Sequence, residues 1–121
     1  MTTLKLRILF NEAMFGPGKA ELLEGIRDTG SIAAAGRQMQ MSYKRAWMLV
    51  EEMNAAFIQP LVASTRGGPG GGGAQLTETG HDVLRLYHDI VDRALAASAG
   101  QICILEAMLT PPGNNDVAEG K

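Results

Sequence analysis

Between Ser31 and Val50 the only charged residues are Arg37, Lys44 and Arg45, and all three are positive. A local cationic cluster in a chain with little net charge is the electrostatic footprint of a phosphate-binding surface. Lys44 and Arg45 fall in the first turn of a helix opened by Ser42, where the helix dipole disfavours cations. That local cost points to an external anion; the alternative is an ordinary solvated face. Ser42 can cap the helix, and its hydroxyl or the free N–H groups at the same terminus can hold a phosphate. Tyr43 and Trp47 share the face of Lys44 and can meet thymine methyls or sugars, unless Trp47 tucks against the edge of the core. Arg66, at the start of a glycine run, is a further phosphate-contact candidate.

The other constellations lead elsewhere. Gly68, Gly70 and Gly73 match the spacing of a dinucleotide-binding fingerprint. That fingerprint needs its last glycine to open a helix returning to a parallel strand, whereas Gly73 is followed by the strand-like AQLT. No Lys-Ser or Lys-Thr follows the glycines, which excludes a mononucleotide P-loop. His81 and His88 lie seven apart, and His88 stands four before Asp92, but no third or fourth metal ligand accompanies them. Cys103 reads as a small buried hydrophobe on an apolar stripe. No nucleophile, base and orienting group form a catalytic set, so we expect no enzyme, no metal and no cofactor.

The chain has 121 residues, 45% hydrophobic and 20% charged, enough for one core. A formal net charge of −2 excludes a polybasic nucleic-acid coat and an acidic solvating tail alike. Residues 1–75 carry eight Lys and Arg against six Asp and Glu, a balance of +2, while residues 76–121 carry three against seven, a balance of −4. A single cysteine permits no intrachain disulfide, and the first residues lack a signal-peptide core, so a cytoplasmic location is expected. The longest uncharged stretch, Met53 to Thr65, is too short to span a bilayer and is interrupted by Pro60, so no membrane partner is expected.

These residues must be positioned by local elements. Alternation from Leu4 to Phe10 predicts a half-buried strand. Pro17 stands just ahead of a helix that Gly30 closes with a left-handed cap. Ser31 caps a short alanine-rich helix whose small side chains permit close approach, and Ser42 caps the amphipathic helix carrying Lys44 and Arg45. Pro60 is expected to terminate that helix. LVAST and AQLT then form a hairpin around GGPGGGG, and from Thr77 a long helix carries Leu84, Tyr87, Val91, Leu95, Ser98, Ile102, Leu105 and Leu109 on one stripe, with Gly100 a point of bending or interruption. The stripe exceeds what so small a core can cover, which predicts a homodimer. Residues 111–121 are polar and expected to be a disordered tail beyond a domain of residues 1–110.

The order strand, three helices, strand, glycine loop, strand, long helix is that of a winged helix-turn-helix: mainly α, with a small β wing and a long C-terminal dimerisation helix. GSIAAAGRQMQMSYKRAWMLVEEMN, followed by GGPGGGGAQLTETGHDVLRLY, resembles the N-terminal domain of the ModE family of molybdate-responsive transcription regulators, whose winged helix is similar to that of LysR-type regulators. Ser42-Tyr43-Lys44, Ala46-Trp47, Glu52-Met53-Asn54, the glycines from Gly67 to Gly73, Leu76-Thr77 and Gly80 carry the likeness, which covers nearly the whole chain. It implies a homodimer using the first and last helices, with recognition helices in major grooves of pseudo-palindromic double-stranded DNA near molybdenum-related genes. It also implies wings near the backbone, which adds Gly68, Gly70, Gly71 and Gly72 to Ser31, Arg37, Ser42, Tyr43, Lys44, Arg45, Trp47 and Arg66 as candidate DNA contacts. Full-length members carry a C-terminal oxyanion-binding region with no counterpart before Lys121. We therefore expect no direct high-affinity molybdate site, and a regulator that acts without ligand or senses through an effector protein. The alternative is a dimeric protein-interaction or oxyanion-responsive module that does not read DNA.

Overall fold

Alternating apolar residues at the N-terminus fold into a small hairpin. In the computed structural model, which describes residues 2–65 and 73–111, strand β1 (Ile8–Leu9) pairs antiparallel with β2 (Met14–Phe15), Ile8 opposite Phe15 and Leu9 opposite Met14. The single strand expected over Leu4–Phe10 is thus only two residues long, because its partner offers no more backbone to pair. Phe10 is exposed, while the chain before the strand is held from elsewhere: the Tyr87 hydroxyl donates to the Leu6 carbonyl at 2.6 Å.

Helix α1 (Pro17–Thr29) starts on Pro17, whose fixed φ suits a first turn. It ends at Gly30, whose φ of 74° sits in the left-handed region that favours glycine while its N–H donates to the Ile26 carbonyl at 2.8 Å. Helix α2 (Ile32–Gln38) follows at once, and the Ser31 hydroxyl accepts from the Ala34 N–H at 3.0 Å. The turn to α3 (Tyr43–Ala56) passes through Gln40 at φ 60°, and Ser42 caps α3 by accepting from the Arg45 N–H at 3.1 Å. A Cβ on Gly36 would stand 3.0 Å from that of Ala46, so α2 and α3 pack across small residues as their composition requires. Helix α3 stops at Ala56, four residues before Pro60; the proline follows the stop and does not make it.

The wing is strand β3 (Val62–Thr65) against β4 (Gly73–Leu76), in register from Val62 opposite Leu76 to Thr65 opposite Gly73. Asn54, at the end of α3, fastens its base: Oδ1 accepts from the N–H groups of Leu61 and Val62 at 2.8 and 3.1 Å, and Nδ2 donates to the Val62 carbonyl at 3.1 Å. On the other side the Ala74 N–H donates to the Gly30 carbonyl at 3.0 Å. Thr77 begins α4 (Glu78–Ala97), accepting from the Gly80 N–H at 3.0 Å and donating to the Pro60 carbonyl at 2.7 Å. Gly80 is packed so closely that a Cβ there would strike the Leu61 carbonyl oxygen. Leu22, Leu23, Ile26, Val50, Met53, Leu61 and Leu84 form the core, with Phe15 edge-on to Tyr87 at 5.1 Å between ring centroids. Lys19 is buried as well, its ammonium donating to the Met14 carbonyl at 2.9 Å and to Glu52 at 3.3 Å.

The chain divides into two compact units, residues 1–91 and 92–121. In the second, α4 ends and α5 (Ala99–Ala107) begins across the single residue Ser98. The interruption expected at Gly100 falls here because the Ser98 hydroxyl donates to the Ala94 carbonyl at 2.7 Å, a back-bond that bends helices. No residue of α5 is buried, and Cys103, expected in a covered stripe, is exposed. The expected tail, residues 112–121, lies outside the described residues. Among the described residues no helix is long and apolar enough to cross a membrane.

Candidate nucleic-acid interface

Helix α3 turns one face inward through Ala46, Val50 and Met53, which leaves the opposite side free. Tyr43, Lys44, Arg45, Trp47 and Met48 are all exposed there, within the first two turns. Trp47 retains 44% of its surface, which removes the reading in which it tucks against the core. Met48, one turn on from Lys44, belongs to the same face and was not singled out from sequence; the i, i+4 spacing was the signal available. Arg37, in the last turn of α2, is exposed, and the Ser42 hydroxyl that caps α3 is also at the surface. The orphan N–H groups at this helix terminus and the two cations beside it thus face solvent together.

Between α3 and the wing runs a polar groove of about 340 Å³. Ser31, Tyr43 and Trp47 line it from the helices, while Ser64 and Thr65 line it from β3. The structure therefore brings Ser31, Tyr43 and Trp47 to one groove, whereas Arg37, Lys44 and Arg45 stand outside its lining. Ser64 and Thr65 were missed because a hairpin strand gives no sequence sign of the helix it will face. Arg66, Gly68, Gly70, Gly71 and Gly72 lie outside the described residues. Gly73, last glycine of the fingerprint spacing, opens β4 and not a helix.

Several ionisable residues away from this face are held in structural pairs. Arg27 donates to Asp28 at 2.9 Å; this hydrogen bond lowers the pKa of the carboxyl and raises that of the guanidinium. His88 lies 2.6 Å from Glu24 across α1 and α4. Burial pushes the Tyr87 hydroxyl above its ordinary value.

A capped pair of helices, the second exposing aromatic and cationic side chains beside a two-stranded wing, defines a winged helix-turn-helix. No family model matches the chain. Among proteins of known name it is 43% identical over 75 residues to the molybdenum-pterin-binding protein MopB of Rhodobacter capsulatus, covering 62% of this chain and 28% of that protein. It is 38% identical over 93 residues to the transcriptional regulator ModE of Haemophilus influenzae, covering 76% and 36%. To the DNA-binding transcriptional dual regulator ModE of Escherichia coli K12 it is 38% identical over 87 residues, covering 72% and 32%. The chain is similar to ModE regulators and molybdenum-pterin-binding proteins as a ModE N-terminal-like segment, and it spans about a third of the length of the curated relatives it matches.

Proposed function

We propose that this chain is a sequence-specific DNA-binding regulator of molybdenum-related genes, acting without catalysis of its own. One observation carries the reading: the exposed Tyr43, Lys44, Arg45, Trp47 and Met48 on the first two turns of α3, the helix that a winged helix-turn-helix lays in the major groove. The names of its relatives, transcriptional regulators among them, support it. Lys44 and Arg45 supply phosphate or base-edge contacts, Arg37 a backbone contact from α2, and the capped terminus at Ser42 a phosphate site. Ser31, Tyr43 and Trp47 receive sugar or thymine methyl groups in the groove beside the wing, and Arg66 with the glycines at 68 and 70–72 approaches the neighbouring backbone. The unit of binding is a homodimer on a pseudo-palindromic site, residues 1–110 forming the DNA-binding and dimerisation domain.

Selection of fragments from a genomic DNA pool by the purified chain, with and without molybdate at near-physiological salt, tests this. A palindromic motif near molybdenum genes, recovered in both conditions, is the expected result; the regulatory signal then enters from an effector outside this segment. A motif that needs molybdate would locate an oxyanion response within these residues. No enrichment in either condition would defeat the DNA-binding reading.

A further inference from the structure

The first two turns of α3 present three sides to solvent, and they differ in chemistry. With successive residues turned by about 100°, the direction opposite the buried Ala46, Val50 and Met53 falls between Lys44 and Met48, each within about 30° of it. Trp47 and Arg45 stand roughly 75–90° to either flank of that line. Trp47 turns toward the wing, where it lines the polar groove with Ser64 and Thr65, and Arg45 turns to the other side. Lys44 and Met48 therefore form the outermost line of the helix, and Met48 keeps 50% of its surface exposed. A scattered exposed apolar side chain needs no explanation, but this one lies beside the exposed Trp47 and one turn from a lysine, on the helix that enters the groove.

What Met48 can recognise follows from what its side chain lacks. A thioether has no hydrogen to donate and accepts only weakly. In the major groove guanine offers two acceptors, adenine an acceptor and a donor, and cytosine a donor, whereas thymine offers one acceptor and its C5 methyl group. A methionine pressed on any of the first three shuts water from a polar edge and returns no hydrogen bond. On thymine it covers a methyl, and an unbranched, polarisable chain adapts to that contact. Met48 lies about 6 Å along the helix from Lys44, a distance of one to two base-pair steps. Glu51 and Glu52 follow in the next turn, where negative charge repels a phosphate backbone, so Met48 closes the base-facing line.

We propose that Met48 is a specificity-determining residue, its side chain packed on the C5 methyl of one thymine in each half-site. The assignment rests on the DNA-binding reading above and deepens it by naming a residue that reads sequence and the base it reads. Attraction between cations and phosphates is shared by every sequence, whereas the methyl contact is made only where thymine stands. Trp47 lies to the side of the Lys44–Met48 line, so the base that Met48 covers is distinct from any group received in the groove beside the wing.

Uracil isolates the contact, because it pairs as thymine does and lacks only the methyl. In the DNA that the full chain selects from the genomic pool, each thymine is replaced by uracil in turn, symmetrically in both half-sites, and binding is followed by fluorescence anisotropy. The wild type is expected to lose about fourfold in affinity per half-site at one such position, the worth of one buried methyl group. Met48→Ala should bind thymine and uracil alike at that position. Alanine is the better helix former and the site is exposed, so this variant keeps its fold by circular dichroism. Trp47→Ala should weaken binding and preserve the difference between thymine and uracil there. Uracil tolerated at every position, or a thymine preference that survives Met48→Ala wherever it occurs, overturns the assignment and leaves the DNA-binding reading standing. A preference lost in Trp47→Ala and kept in Met48→Ala overturns it in favour of the wing-side groove. A wild-type chain that selects no DNA defeats both readings.

Discussion

Lys44 and Arg45 occupy the helix terminus least favourable to cations, so their stability cost and their proposed binding role have opposite signs. Lys44→Glu should stabilise the fold by a few tenths of a kcal/mol through the helix dipole, read as a small rise in melting temperature, while abolishing binding to the selected DNA. If each residue makes one phosphate contact, Lys44→Ala and Arg45→Ala each lower the salt slope of binding by about 1, and a base contact instead costs about 1–3 kcal/mol at one position of the site. Fluorescence anisotropy across a salt series separates the two; unchanged affinity and slope in both variants would remove α3 from the groove. Tyr87 is a different kind of residue, since its hydroxyl holds the chain just before β1 at Leu6. Its pKa is raised by burial, so its contribution to stability is complete below about pH 10 and is lost as the pH rises through the raised value. Tyr87→Phe should cost about 1 kcal/mol near neutrality and then lose stability less steeply than the wild type above pH 10, as read from melting temperatures across that range.

Among the elements, the wing depends on residues that do not belong to it. Asn54 supplies three hydrogen bonds to its base, so Asn54→Ala strands the N–H of the fully buried Leu61 and should cost about 1–3 kcal/mol. Asn54→Asp keeps the accepting oxygen and loses only the donor, so its melting temperature should fall between wild type and alanine; equal loss in both would show that the acceptor is not what matters. Gly80 and Gly18 give a contrast in sign. Both lie in helices, where alanine ordinarily stabilises, and Gly18→Ala, with nothing near its Cβ, should gain up to about 1 kcal/mol. Gly80→Ala drives a methyl against the Leu61 carbonyl and should lose about 1–3 kcal/mol. The elements that local chemistry specifies were legible from sequence: Gly30, Ser31 and Ser42 are caps in the structure as their types require. What was not legible depended on distant partners. The hairpin of β1 with β2, the clamp from Asn54 to Leu61 and the closeness of Ser64 to Trp47 arise from chain segments that meet only on folding. Glu52-Met53-Asn54 was readable as a family mark, and its meaning emerged from the contacts: an ion pair to Lys19, a core side chain, a wing clamp. The stripe of the last helix divides between α4 and α5, and Leu105 on α5 is exposed, as a stripe longer than so small a core can cover implies, while Cys103, expected to be buried, is exposed as well.

At the scale of the whole molecule, two asymmetries constrain how the chain can work. Charge is divided along the sequence, +2 over residues 1–75 and −4 over residues 76–121, so the segment holding the helix-turn-helix and the wing is the one that tolerates a polyanion. Exposed large apolar side chains occur in both segments but lie closer together in the second, where Leu86, Ile90, Ile104, Leu105, Met108 and Leu109 are exposed within 24 residues that a phosphate backbone would not attract. In the proposed homodimer the two α3 helices are related by a two-fold axis. If both face one side of the duplex, their half-sites lie about 34–36 Å apart, one turn of B-DNA. Insertion of about 5 base pairs between the half-sites turns them to opposite faces of the duplex, and affinity should fall to that of a single half-site. A longer connection through α4 and α5 would shift the preferred spacing by one further turn and leave the same helical periodicity. Binding to operators lengthened one base pair at a time should therefore oscillate with a period of about 10–10.5 base pairs. Affinity independent of spacing would mean that the two recognition helices are not held by a common dimer axis.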